Sequence, residues 1–118
     1  MPGDDVPRFL RVPVARLVRA FAPARIVLFG SYAAGSATPA SDVDLLVIAD
    51  IAGESEIPKR RARQLVAMSF PPIDIVLCTP EEADSADRAR SPFLQSILEH
   101  GVTLYERPAP PAGARPSR

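Results

Sequence analysis

The sequence predicts an α/β fold, a small mixed β-sheet with helices packed mainly on one face, and three observations lead to it. Two β-rich runs, residues 25 to 29 and 42 to 49, flank a short Gly/Ser-rich connection. A stretch with approximately helical spacing, residues 54 to 70, separates the second run from a third, IDIVLCT at 73 to 79. Ahead of them, Val14, Leu17, Val18 and Phe21 recur at i, i+3, i+4 and i+7, the pattern of a helix with one apolar face.

Residues 1 to 11 hold little to bury and are expected to form a flexible arm. The first helix is predicted over 13 to 22, with Pro13 tolerated in its first turn, Arg16 and Arg19 on its polar side, and Pro23 stopping it. In the strand over 42 to 49, Leu46 and Ile48 share a face with the acids Asp42 and Asp44, while Val43, Leu45 and Val47 take the other. Apolar residues on both faces predict a central, covered strand. Gly30 ends the first strand and Asp42 opens the second, so these residues meet only if the two strands are antiparallel.

The helix over 54 to 70 carries Ile57, Leu65, Val66 and Met68, with Ser55 as its N-cap and Pro58 in its first turn. A strand, crossover helix and strand favour a parallel, right-handed unit, which brings Asp74, near the start of the third strand, beside Asp42 and Asp44. Thr79-Pro80-Glu81-Glu82 reads as a cap, a proline at the first helical position and an acidic first turn, for a helix reaching about Arg88. Ser91-Pro92 repeats the signal before Phe93, Leu94, Ile97 and Leu98, a core-facing stripe that ends at His100, with Gly101 as the residue after the helix. Residues 102 to 105 suggest a brief edge strand. The Pro/Ala/Gly-rich stretch 107 to 118 reads as a disordered tail, so the folded domain is expected over 12 to 106.

Composition narrows the function. With 118 residues the chain is expected to be one domain. Fourteen Lys and Arg balance fourteen Asp and Glu, which argues against duplex nucleic acid as the main partner. The basic run Lys59, Arg60, Arg61 and Arg63 is spread around its helix and reads as a solvated face or a protein contact. Cys78, the single cysteine, lies in an apolar run and reads as a buried structural thiol. No apolar run approaches the ~20 residues of a membrane span, and the acidic, Pro-broken N-terminus does not read as a signal peptide, so a cytoplasmic protein is expected.

The chemistry centres on residues 26 to 49. Asp42 and Asp44, one residue apart, would lie roughly 6 to 7 Å apart along a strand, and two like charges that close call for a cation. Asp74 adds a third carboxylate. Gly30 lets backbone approach a ligand, and Ser31 with the following N–H groups can donate to phosphate oxygens if residues 31 to 36 form a helical turn. Tyr32 either stacks on a base or packs, and His100 sits where a helix C-terminus welcomes positive charge.

Gly30-Ser31, ten intervening residues, then Asp42-Val43-Asp44 resembles the signature of the DNA polymerase β-like nucleotidyltransferase superfamily. Within it, the short chain is similar to the minimal nucleotidyltransferases, antitoxin partners of HEPN-domain toxins. The resemblance covers about residues 12 to 105. It implies the nucleotidyltransferase palm, two Mg²⁺ ions held by Asp42, Asp44 and Asp74, and ATP whose β- and γ-phosphates rest on Gly30 and Ser31. Transferases of this superfamily acting on small molecules add a helical domain that 118 residues leave no room for, so the acceptor surface is expected on another molecule.

That molecule would be a HEPN ribonuclease toxin receiving AMP on a tyrosine hydroxyl. The chain departs from the family at Ala34, where a basic residue is common. Its absence is consistent with weaker nucleotide affinity, with a cation supplied by Arg25 or by the partner, or with an antitoxin that only binds. A stand-alone small-molecule transferase is the remaining alternative.

Overall fold

The computed structural model describes residues 6 to 51, 56 to 85 and 91 to 108. A 3₁₀ turn, Arg8–Leu10, leads into α1 (Arg11–Phe21), followed by β1 (Arg25–Phe29), the one-turn helix α2 (Ser31–Ala34) and β2 (Val43–Ile48). Next come α3 (Glu56–Leu65), β3 (Ile73–Cys78), α4 (Pro80–Asp84), α5 (Pro92–His100) and β4 (Val102–Glu106). The strands form one sheet in the order β3-β2-β1-β4. β1 pairs antiparallel with both β2 and β4, and β2 pairs parallel with β3, so the sheet is mixed as expected.

Strand alternation divides the core in two. Ile26, Leu28, Val43, Leu45 and Val47 point to one face, where they pack with Val14 and Leu17 of α1, Ala62 of α3, and Val66 just beyond it. Val27, Leu46 and Ile48 point to the other and meet Ile97 of α5, with Leu94, Leu98 and Ala83 against them. The two longest helices therefore cover one face, and α5 with α4 closes part of the opposite one. Helices thus pack mainly on one face, as expected, with a smaller layer on the other. That smaller layer arises because Leu46, Ile48 and Cys78 leave apolar surface on the acid-bearing side that water would otherwise wet.

Several element ends differ from the expectation. Val6 and Leu10 are buried in the first core cluster, so the described part of the expected arm packs onto the domain; residues 1 to 5 lie outside the description. α3 ends at Leu65, and its inward residue is Ala62. Ile57 and Met68, expected on the helix's apolar stripe, are 70% and 90% exposed. Ser55, the expected cap, and residues 86 to 90 beyond α4 lie outside the described residues.

Gly101 follows α5 in an extended conformation, φ −76° and ψ 168°, and not in the left-handed one expected of a helix-ending glycine. A side chain there would collide with Val27 and fall 2.6 Å from the Ile97 carbonyl oxygen, so the glycine permits α5 to end tight against β1. Arg107, placed at the start of the expected tail, is tied down: its N–H donates to Ala24 O at 2.9 Å and its guanidinium to Ala22 O at 2.8 Å. Residues 109 to 118 are outside the description. No helix among the described residues is long and apolar enough to cross a membrane.

Candidate active site

The register of three strands assembles the site. Phe29, the last residue of β1, is the antiparallel partner of Asp44, and Asp44 is the parallel partner of Asp74. Asp42 stands one residue ahead of β2. The N–H of Val43 donates to Pro72 O at 2.8 Å and ties the start of β2 to the start of β3. The two carboxylates predicted to be neighbours, Asp44 and Asp74, thus occupy adjacent positions at one sheet edge, facing the side that α5 covers.

Asp44 is the half-buried member, whereas Asp42 and Asp74 are exposed. Its carboxyl is raised above the usual 3.8, first by burial, then by the negative charge of Asp74 and that of Asp42. Three acids gather at this edge, two of them disfavouring the ionisation of Asp44, and a cation would relieve that charge. Among the described residues, no three His, Cys, Asp or Glu side chains converge closely enough to hold a metal ion together. The backbone juxtaposes the acids, and a bound cation would draw their carboxylates together.

Gly30 makes the turn beside them. Its φ of 78° and ψ of −154° suit glycine alone, and its carbonyl accepts from Ala33 N at 3.1 Å and Ala34 N at 3.0 Å to close α2. The Cβ of any other residue would collide with Asp44 Oδ2, so Gly30 also permits the carboxylate to lie against the backbone. The expected helical turn over 31 to 36 is present, with Ser31 at its first position and Gly35, φ 78°, as its left-handed end. The N–H groups of Ser31 and Tyr32 in this first turn have no carbonyl within α2 to bond.

Two features escaped the sequence reasoning. Thr38 N donates to Ser41 Oγ at 2.9 Å, and Ser41 N returns to Thr38 O at 2.9 Å, a reciprocal turn that delivers the chain to Asp42. The Thr-Pro-Ala-Ser spelling was the available signal. Arg25, one candidate for the cation absent at Ala34, lies at the far end of β1, and its guanidinium donates to Thr103 Oγ1 at 2.7 Å. Four residues of extended chain, roughly 13 Å, separate it from Phe29, so it does not serve the turn. Tyr32 packs on the first core cluster with its ring 5.8 Å from that of Phe9, which fits packing and not base stacking.

Comparison with known proteins agrees with this fold. A family model described as a nucleotidyltransferase domain matches residues 14 to 104. A Methanocaldococcus jannaschii protein named "Putative protein adenylyltransferase MJ1305" is 34% identical over 85 residues, 70% of this chain and 58% of the relative. The chain thus spans somewhat over half the length of that relative. A solved structure described as "Crystal structure of the toxin-antitoxin with AMP-PNP" superposes with a TM-score of 0.57 at 26% identity, over 80% of this chain and 72% of that one.

Proposed function

The chain belongs to the nucleotidyltransferase domain family, and from that premise we propose that it transfers AMP from ATP to a hydroxyl group of a partner protein. The observation that carries this reading is the strand register that sets Asp44 beside Asp74 and against the Gly30 turn. A likeness to a named adenylyltransferase and to a toxin–antitoxin structure with a nucleotide analogue supports a protein acceptor. The finer identity we propose for that acceptor is a tyrosine of a cognate HEPN ribonuclease toxin.

In this reaction the acceptor oxygen forms a bond to the α-phosphorus, the bond from that phosphorus to the β-bridging oxygen breaks in line, and pyrophosphate leaves. Gly30 and Ser31 hold the β- and γ-phosphates through backbone N–H groups and the Ser31 hydroxyl. Asp74, which is exposed at the sheet edge, takes the acceptor's proton in this reading. Two Mg²⁺ ions, when bound by Asp42, Asp44 and Asp74, would lower the charge on the attacking and leaving oxygens. Asp44, whose carboxylate lies against the Gly30 backbone, sets the acids beside the phosphate turn.

A second reading, an antitoxin that neutralises its partner by binding alone, is favoured by one observation: Ala34 leaves the phosphate turn without a cation from α2. Intact-mass spectrometry of the co-expressed partner after incubation with ATP and Mg²⁺ separates the two. Mass steps of one AMP with the wild type, and none with Asp42→Ala/Asp44→Ala, are expected of the transferase. An unmodified partner in a stable complex with both versions would leave the binding-only reading.

A further inference from the structure

Exposed apolar side chains gather at the acid end of the sheet. Among the described residues seven large ones are exposed, and six of them lie there. Met68 and Phe70 stand in the link from α3 to β3, which Val43 N ties to the start of β2 by donating to Pro72 O at 2.8 Å. Phe9 has its ring 5.8 Å from that of Tyr32 in α2, and Val12 lies three residues further along. Val102 is the cross-strand partner of Leu28, next to Phe29. Phe93, expected in the core, is 59% exposed and meets Phe29 edge-on, with ring centroids 5.8 Å apart at 83°. The seventh, Ile57, stands in the first turn of α3, roughly 12 Å up the helix from Leu65.

Met68 and Phe70 protrude furthest, at 90% and 85% exposure. Side chains that stand out this far line no cleft, so a complementary surface on a large molecule covers them better than a small ligand does. Residues 64 to 73 carry no charge in a chain that is 24% charged, so the segment offers the phosphates of a nucleic acid no counter-charge. Asp42 and Asp74, exposed at the same edge, repel an anionic lipid surface. A protein partner meets neither objection, and Met and Phe are enriched where proteins meet.

We propose that Met68 and Phe70 anchor the acceptor protein, which docks on them through an apolar patch near its acceptor hydroxyl. The inference rests on the protein-acceptor reading and adds to it where that protein is held. Distance decides the occupant. Phe70 lies four residues ahead of Asp74, at most roughly 14 Å of chain. A standard interface buries about 800 Å² on each partner, a patch roughly 30 Å across. An acceptor whose interface is centred on Asp74 therefore covers Phe70 as well.

The test is transfer kinetics with the co-expressed partner as substrate, for the wild type, Met68→Ser, Met68→Ser/Phe70→Ser, and Ile57→Ser as an exposed control remote from the acids. Thermal unfolding and calorimetric titration of AMP-PNP with Mg²⁺ check that each variant folds and keeps its nucleotide site. The KM for the partner is expected to rise severalfold in Met68→Ser and about tenfold or more in the double variant. Saturating partner should recover the rate, AMP-PNP affinity should hold, and Ile57→Ser should match the wild type. An unchanged KM in the double variant would overturn the proposal, as would an equal rise in Ile57→Ser. Loss of AMP-PNP affinity in Met68→Ser and the double variant would overturn it by assigning the segment to the nucleotide site. A wild-type dimer in sedimentation that the double variant breaks would overturn it by giving the patch to a second copy. If the wild type binds the partner without transferring AMP, the transfer reading fails alone, and the partner's dissociation constant on the same variants decides the docking. A wild type that does not bind the partner overturns both.

Discussion

Gly30→Ala is the perturbation that reads the site most directly, because one methyl group acts on both the backbone and the central acid. The backbone part follows from φ 78° and ψ −154°, a region essentially reserved for glycine, where an L side chain costs about 1–3 kcal/mol. The packing part follows from the Asp44 carboxylate: an added Cβ would overlap Oδ2 and stand 3.2 Å from Cγ, so the side chain must withdraw by on the order of 1 Å. A displacement of that size in a catalytic group costs on the order of 10²-fold in rate. Gly35→Ala is the matched control. Its φ is also 78°, but nothing lies within 4 Å of an added Cβ, so only the left-handed backbone cost of about 1–2 kcal/mol remains, less the ~0.4–1 kcal/mol that alanine recovers by restricting the unfolded chain. Thermal unfolding and partner adenylylation, measured on both variants, are expected to show transfer lost in Gly30→Ala and retained in Gly35→Ala, with the larger drop in Tm for Gly30→Ala. Equal transfer rates in the two variants would refute the argument that Gly30 exists to admit Asp44.

Asp44 has a folded pKa raised above 3.8, so its ionised form disfavours the fold; that penalty is fully present above the raised value and vanishes as pH falls below 3.8, where folded and unfolded chains are both protonated. In chelator, Asp44→Asn is therefore expected to raise Tm at pH 7, with the gain shrinking toward pH 3; a gain independent of pH would contradict the electrostatic cause. Burial and then Glu82 push the Cys78 thiol up to about 11, so the native protein should resist iodoacetamide at pH 8 and react readily in denaturant; native labelling at the rate of a free thiol would show the strand end to be open. Because folding raises this pKa, Cys78 removes stability as pH climbs from about 9 toward 11, a loss that Cys78→Ala should lack in alkaline melts. Thr79 and Glu82 form a capping box, with Glu82 N donating to Thr79 Oγ1 at 3.1 Å and Thr79 N to Glu82 Oε1 at 2.8 Å. Thr79→Ala should cost about 1 kcal/mol in urea unfolding, and no change would mean that α4 is held by other contacts.

By itself the amino-acid sequence determined the parts whose physics is local. The two-residue period placed Leu46 and Ile48 opposite Val43, Leu45 and Val47, and the crossover rule set β3 parallel to β2, which together brought Asp74 beside Asp44. Thr79-Pro80 announced its capping box because a cap is made by residues three apart. Gly30 was legible as a turn for the same reason. Only the tertiary structure decided what depends on surfaces distant along the chain. It buried Val6 and Leu10, which carry no period long enough to read, and it left Met68 and Ile57 in water although their spacing was apolar and helical. It also paired β4 with β1, which put Arg25 beside Thr103 and away from the phosphate turn. Above all, it laid α5 over the acid-bearing face, where one side of the helix fills the core and the other faces α2 across a groove. A helix's apolar stripe tells which residues seek cover, but the partner each face finds is settled by which sheet surface is still bare when the remaining elements have packed.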